Sequence, residues 1–200
     1  QIKFLLYQLN TNFLFNTLNS ISTLLLEKNT ELANSMVTKL SIFIRYSIDN
    51  DPMKKITIDK DLQALQLYLD IEKVRFEERL SLQLDIEDKA RDSLIPSLLL
   101  QPLIENAIKY GIARAEGGGH LRISAKVFAG DLLIEISDDG PGCELVNNTI
   151  PDAKGVGLRN TRERLATLYG SEHSIKLSQT DPHGLTIGIR IPFTPKHAPA

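Results

Sequence analysis

The stretch Leu132-Leu133-Ile134-Glu135-Ile136-Ser137-Asp138-Asp139-Gly140-Pro141-Gly142 (132–142) governs how the rest of this chain is read. A strand over Leu132–Ser137 closes on Asp138, and a glycine-rich turn follows at once. An ordinary polar turn would account for the pattern, since Asp-Gly turns are common. A carboxylate held at a strand end can also accept a hydrogen bond from the amino group of adenine. The two glycines would let backbone approach such a ligand closely.

Two more motifs lie on either side. Upstream is IENAIKY (104–110), expected on an apolar helix that opens at Pro96 and runs through Tyr110. Asn106 sits there among Leu, Ile and Ala. Its amide either satisfies a nearby backbone group or offers its oxygen to Mg²⁺, a hard cation that shares oxygen ligands with substrate phosphates. Lys109 projects from nearly the same face and can meet a phosphate as a point charge. Downstream is GVGLRN (155–160), where Gly155-Val156-Gly157-Leu158 opens a helix whose free N–H groups and dipole suit an anion. Arg159 and Asn160 would add donors. The plainer reading is a glycine loop before a helix with Arg162 and Arg164 on its solvated face.

The remaining segments give a coarse architecture. Ile2, Leu5, Leu6, Leu9, Phe13, Leu14, Leu18, Ile21 and Leu25 recur at helical spacing over residues 2–28. Leu32, Met36, Leu40, Phe43 and Ser47 repeat the pattern over 31–49, after a short connection at Lys28-Asn29-Thr30. Such a hairpin has more apolar surface than it can bury alone. It either packs on the rest of the chain or pairs with a second copy in a four-helix bundle about a twofold axis.

A linker is expected at 49–55, dividing a helical-hairpin domain (1–51) from a second domain (58–194). Asp59 is the expected cap of a helix reaching Phe76. Leu80, Leu82, Leu84 and Ile86 suggest a half-buried strand. Residues 120–128 and 131–137 suggest a hairpin turning at Ala129-Gly130. A loop over 139–158, a helix to about Tyr169 and strands at 174–179 and 184–191 complete an α+β fold, a mixed sheet covered by helices.

Composition sets limits. Two hundred residues with 42% hydrophobic and 24% charged content are ordinary for a globular protein. A net charge of −2 gives no reason to expect nucleic-acid binding. The single Cys143 excludes an internal disulfide and fits a reducing compartment. No apolar run approaches the roughly 18 residues that span a bilayer. The chain opens Gln-Ile-Lys, so a fragment of a longer protein is expected, with any membrane attachment in the missing upstream region.

The three motifs in this order, with Gly184-Leu185-Thr186 on the penultimate strand, resemble the ATP-binding domain of the GHKL superfamily, which includes gyrase, Hsp90, histidine kinases and MutL. The resemblance implies a two-layer α/β sandwich binding ATP with Mg²⁺ under a mobile lid. It implies Asn106 as metal ligand, Asp138 as adenine reader, and Gly140, Gly142, Gly155 and Gly157 as shapers of the lid and phosphate site. Tyr110 matches an aromatic that packs against the nucleotide.

Residues 8–19, QLNTNFLFNTLN, resemble the QINPHFLFNTLN segment of LytS-like, autolysin-regulator type sensor histidine kinases. So do residues 68–76 (YLDIEKVRF), 100–107 (LQPLIENA) and 159–165 (RNTRERL), so the resemblance covers nearly all of the chain. It implies a homodimer through the hairpin, a response regulator as partner, and a cytoplasmic domain of a bacterial inner-membrane protein.

Two departures bear on activity. The family's acceptor His follows a Pro, and these positions are Thr11 and Asn12. A carboxamide nitrogen has its lone pair delocalised, so Asn12 should not accept phosphate. His120, His173, His183 and His197 all lie in the second domain or tail, where surface or turn roles are expected. Many family ATPases also carry a Glu four residues before the metal Asn, and Pro102 stands there instead, so efficient hydrolysis is not expected. Glu105 is the nearest carboxylate: a base, a ligand to Mg²⁺ through water or, as favoured here, a solvent-facing helix residue. The expected function is a histidine kinase core whose own acceptor is lost. The alternatives are a nucleotide-binding pseudokinase scaffold, an ATPase with a dimerising hairpin, and a response-regulator phosphatase.

Overall fold

The computed structural model describes residues 11–76, 79–114, 117–142 and 156–196. The expectations for Ile2, Leu5, Leu6, Leu9, Cys143 and Gly155 lie outside those residues.

Helices α1 (Thr11–Leu26) and α2 (Thr30–Asp49) form the expected hairpin. The chain reverses through Lys28 in a left-handed conformation (φ 61), and Asn29 Oδ1 accepts the Leu32 amide at the start of α2. Phe13, Thr17 and Ile21 of α1 are buried with Ala33, Met36, Leu40 and Phe43 of α2, at steps of three and four. That inner face packs on α3 (Ile58–Phe76). The Phe13 ring stands 5.4 Å from Phe43, edge to face, and 4.8 Å from Tyr68 of α3. Lys39 of α2 also pairs with Asp70 of α3 at 2.7 Å.

Asp59 does not cap α3. The Thr57 hydroxyl accepts the Lys60 amide at 3.3 Å, so the helix starts before Asp59, whose carboxylate instead pairs with Arg91 at 3.0 Å. Thr57 closes β1 (Lys55–Thr57), which pairs antiparallel with β3 (Leu94–Pro96).

The main sheet has five strands in the order β2-β4-β5-β7-β6: β2 (Leu80–Ile86), β4 (Gly119–Phe128), β5 (Asp131–Asp138), β6 (Ser174–Gln179) and β7 (Leu185–Pro192). Only β2 and β4 run parallel, which requires the crossover through α4 (Asp88–Arg91), β3 and α5 (Gln101–Asn106). The β4–β5 hairpin turns at Ala129 (φ 51) and Gly130 (φ 85), the left-handed pair that a tight two-residue turn demands. Leu121, Ile123, Ala125, Leu132, Ile134, Ile136, Ile187, Ile189 and Ile191 bury one face beneath α3, α5 and α6 (Val156–Tyr169). The opposite face shows Arg122, Lys126 and Glu135 to solvent, so among the described residues the sheet is covered on one side. On edge strand β2 only Leu80 is fully buried, and Leu84 is exposed.

Pro96 does not open a helix. It ends β3, and the Ser97 amide donates to Lys54 O. Leu98 then adopts φ 58, which breaks any helical path, so α5 begins only at Gln101. After Asn106 the helix loosens into a π turn over Ala107–Gly111 and a 3₁₀ turn over Ile112–Arg114.

Candidate nucleotide site

Along β5, burial falls on Leu132, Ile134, Ile136 and Asp138, so the carboxylate occupies a core-facing register position opposite Leu121. Burial pushes its carboxyl up from the ordinary range. Amides of Gly140 and Leu185 act against that shift, and the charge of Asp139 adds to it. The Gly140 amide donates to Asp138 Oδ1 at 3.0 Å.

Glycines enclose this carboxylate. A β-carbon on Gly111 would meet Asp138 Oδ1 at 2.6 Å. One on Gly140 would strike the Gly111 backbone, and one on Gly184 (φ +119) the Asp138 carbonyl. Gly142 (φ +72) lies against Gly184 in turn. Gly184-Leu185-Thr186 leads into β7, the last strand rather than the penultimate one. There Thr186 Oγ1 donates to Ser137 Oγ at 2.9 Å across the ladder and pairs with Thr180 Oγ1 at 2.9 Å. Two exposed histidines brace the turn. His120 Nδ1 pairs with Asp139 Oδ2 at 2.7 Å, and His183 Nδ1 pairs with the Gly140 carbonyl at 3.0 Å.

The π turn connects this cluster to Asn106, which is half-buried at the end of α5. A β-carbon on Gly157 would lie 3.2 Å from Pro102 Cβ and 3.5 Å from Asn106 Nδ2. The first turn of α6, whose leading N–H groups have no partner within the helix, therefore abuts the Asn106 amide. Leu158 is buried behind it, while Arg159 and Asn160 are exposed. Lys109 is exposed, its Nζ 5.0 Å from the Tyr110 ring centroid, and Tyr110 is half-buried. Asn106, Asp138, Gly140, Gly142, Gly157 and Thr186 thus converge through neighbouring elements. Asn12 belongs to a different element, exposed near the start of the described part of α1.

Two side chains point elsewhere than expected. Glu105 is half-buried rather than solvent-facing: Gln101 Nε2 donates to its Oε1 at 2.9 Å, and its charge is felt by Tyr68 and Glu72 of α3. Burial, opposed by Arg75 and reinforced by Glu105, raises the Glu72 carboxyl to about 7. Arg164 is not on a solvated face either. Its guanidinium turns inward to the carbonyls of Ser97 and Leu98 at 3.0 and 3.2 Å. Gly111 escaped the sequence reading, although it directly follows the IENAIKY motif.

Among the described residues no three His, Cys, Asp or Glu side chains cluster to hold a metal. Asn106 supplies one neutral amide oxygen. That donor set fits Mg²⁺, which retains waters and takes most of its remaining ligands from phosphates. The glycine-lined surround of Asp138 fits a flat base lying close to backbone.

Residues 91–195 match the family described as histidine kinase-, DNA gyrase B-, and HSP90-like ATPase, and residues 1–80 match a histidine kinase family. The sensor histidine kinase YesM of Bacillus subtilis is 37% identical over 196 residues, 96% of this chain and 33% of its own length. The sensor histidine kinase/phosphatase LytS of Staphylococcus aureus is 32% identical over 202 residues, 96% of this chain and 34% of its own. The chain therefore spans about a third of these relatives. Among solved structures, the catalytic domain of histidine kinase ThkA superposes with a TM-score of 0.57 at 14% identity, covering 72% of this chain and 97% of that one. Acinetobacter baumannii histidine kinase AdeS gives 0.53 at 20% identity, covering 84% and 82%. Among the described residues no helix is long and apolar enough to cross a membrane.

Proposed function

Because the chain belongs to the histidine kinase-, DNA gyrase B- and HSP90-like ATPase family, on its sensor histidine kinase branch, we propose that it is the core of a two-component sensor kinase that binds Mg-ATP yet cannot phosphorylate its own acceptor position. One observation carries this reading. The buried Asp138 carboxylate, enclosed by Gly111, Gly140 and Gly184, is linked by one helical turn to an Asn106 that abuts the glycine-led start of α6.

Asp138 takes the amino group of adenine, with Thr186 and Ser137 as neighbouring hydroxyls. Asn106 offers its amide oxygen to Mg²⁺, while Gly157 and, by sequence, Gly155 admit phosphate to helix-end amides. Lys109, Arg159 and Asn160 are exposed donors at the rim, and the Tyr110 ring lies beside Lys109. Mg²⁺, when bound, neutralises phosphate charge during transfer. Glu105, held by Gln101, orients groups near Asn106 rather than acting as an open base. Asn12 has no nitrogen lone pair to offer, so transfer stops at the hairpin. The exposed outer face of the hairpin, with Phe15, Leu18, Leu25 and Ile42, supports a homodimer. A response regulator is the partner the family implies.

Calorimetry with a non-hydrolysable ATP analogue tests the reading. Binding should require Mg²⁺ in the unaltered chain and lose that requirement in Asn106→Ala; absence of any adenine nucleotide binding would overturn it. A second reading, phosphatase activity toward a phosphorylated regulator, is favoured by the exposed Asn12 amide, which can orient a water, and by the name of the LytS relative. Asn12→Ala would then abolish dephosphorylation.

A further inference from the structure

Loop 97–100 delivers the chain from β3 into α5, and it is gripped from two sides. From α3, Asp61 Oδ1 accepts the Leu98 amide at 2.7 Å and Oδ2 accepts the Leu100 amide at 3.1 Å. From α6, the two arms of Arg164 donate to the carbonyls of Ser97 and Leu98. Asp61 is only 2% exposed, so its carboxylate has no comparable alternative in solvent. Leu98 carries a left-handed φ of 58 without being glycine, a conformation that persists only where surroundings enforce it. Anion meets amides and cation meets carbonyls, each on the polar edge that suits it.

The loop leads directly into the helix ending at Asn106. Arg164 lies seven residues, about two helical turns, beyond Gly157. Gly157 is the residue that packs on Pro102 and Asn106. The same loop therefore anchors both halves of the phosphate end of the site.

We propose that Asp61 and Arg164 are positioning residues for nucleotide binding: by holding opposite edges of loop 97–100, they set the Asn106 helix against the glycine-led start of α6. This rests on the nucleotide reading above. It adds two residues from outside the site motifs, neither of which is taken to touch ATP.

The test measures the affinity of a non-hydrolysable Mg-ATP analogue in Asp61→Asn, Arg164→Lys and the double variant, below each melting temperature. Amide hydrogen exchange over 97–106 is followed in parallel. Each single variant should bind at least about tenfold more weakly, the scale of one net hydrogen bond lost to positioning. Exchange at Leu98, Leu100 and along α5 should accelerate. The double variant should bind little worse than either single one, since both release the same loop. Asp59→Ala, on the same helix as Asp61, breaks only the surface pair with Arg91 of α4 and should leave affinity unchanged. Arg164→Lys keeps the charge and loses only the fork, so it remains informative if Asp61→Asn fails to fold. Folded variants that bind like the unaltered chain, or losses that multiply independently, would overturn the inference alone. An unaltered chain that binds no adenine nucleotide would sink both readings.

Discussion

A β-carbon on Gly111 would stand 2.6 Å from Asp138 Oδ1 and 2.8 Å from Asp138 Cγ, so the helical turn after Asn106 touches the carboxylate at the end of β5. Only a residue without a side chain leaves that carboxylate where it is. Gly111→Ala should displace Asp138 and reduce affinity for ATP by tenfold or more, about 1.4 kcal/mol. Asp138→Ala should go further and lose preference for ATP over GTP. A carboxylate accepts from the adenine amino group and repels the guanine carbonyl, and a site built on such a bond discriminates strongly. Competition binding with both nucleotides reads the outcome. Unchanged selectivity in Asp138→Ala would remove Asp138 from the base site.

On the proposed function, the replaced acceptor position should be what stops phosphate transfer. Asn12 is exposed on α1, and the neighbouring Phe13 fixes that helix against Tyr68 and Phe43. The paired change Thr11→Pro and Asn12→His restores a nitrogen lone pair. It should yield acid-labile label from γ-labelled ATP, whereas the unaltered chain yields none. Label on the unaltered chain would refute the account of Asn12. An unlabelled double variant that still binds ATP would mean that more than the acceptor has been lost.

Much of this site follows from local rules, and the remainder does not. Asp138 closes a strand whose core register it shares with Leu132, Ile134 and Ile136, and a strand followed by a glycine turn signals that locally. The hairpin and the one-sided sheet follow from spacing and alternation. The three-residue strands β1 and β3 carry no periodic signal, because their pairing depends on residues some forty positions apart. Pro96 carries the local signal of a helix start, but what prevents the helix, Asp61 drawing the amides of Leu98 and Leu100, comes from α3. Arg164 had a signal that charge concealed. It sits one heptad beyond Gly157, three residues after buried Thr161 and one before buried Leu165.

Stability should decline as pH rises from mildly acidic to mildly basic. The Glu72 carboxyl is raised to about 7 in the fold from an ordinary 4.5, chiefly by burial. Its protonated form is favoured in the folded state. That contribution is complete below the unfolded value and is lost as pH climbs through about 7. Asp61, raised by burial to about 6, acts in the same direction. Glu72→Gln is neutral throughout, so its melting temperature should fall less between pH 5 and 8, about the range over which these groups titrate. Calorimetric melts at matched ionic strength decide the matter. Equal slopes for both chains would mean that Glu72 titrates normally.

The outer face of the hairpin should hold two copies together. Leu18 and Leu25 lie seven residues apart on α1 and are 54% and 53% exposed, with Phe15 and Leu26 beside them and Val37, Ile42 and Ile48 exposed on α2. An apolar surface of this kind on a helical pair is better explained by a partner than by solvent. The inner face is already used against α3, so charging the outer face should spare the fold. Leu18→Lys with Leu25→Lys should shift sedimentation from dimer to monomer while the melting temperature of the ATP-binding half changes little. Because Asp138 and Asn106 lie within one chain, the monomer should keep its nucleotide affinity. A variant that stays dimeric would place the interface elsewhere, and one that loses nucleotide binding would show that the site depends on the second copy.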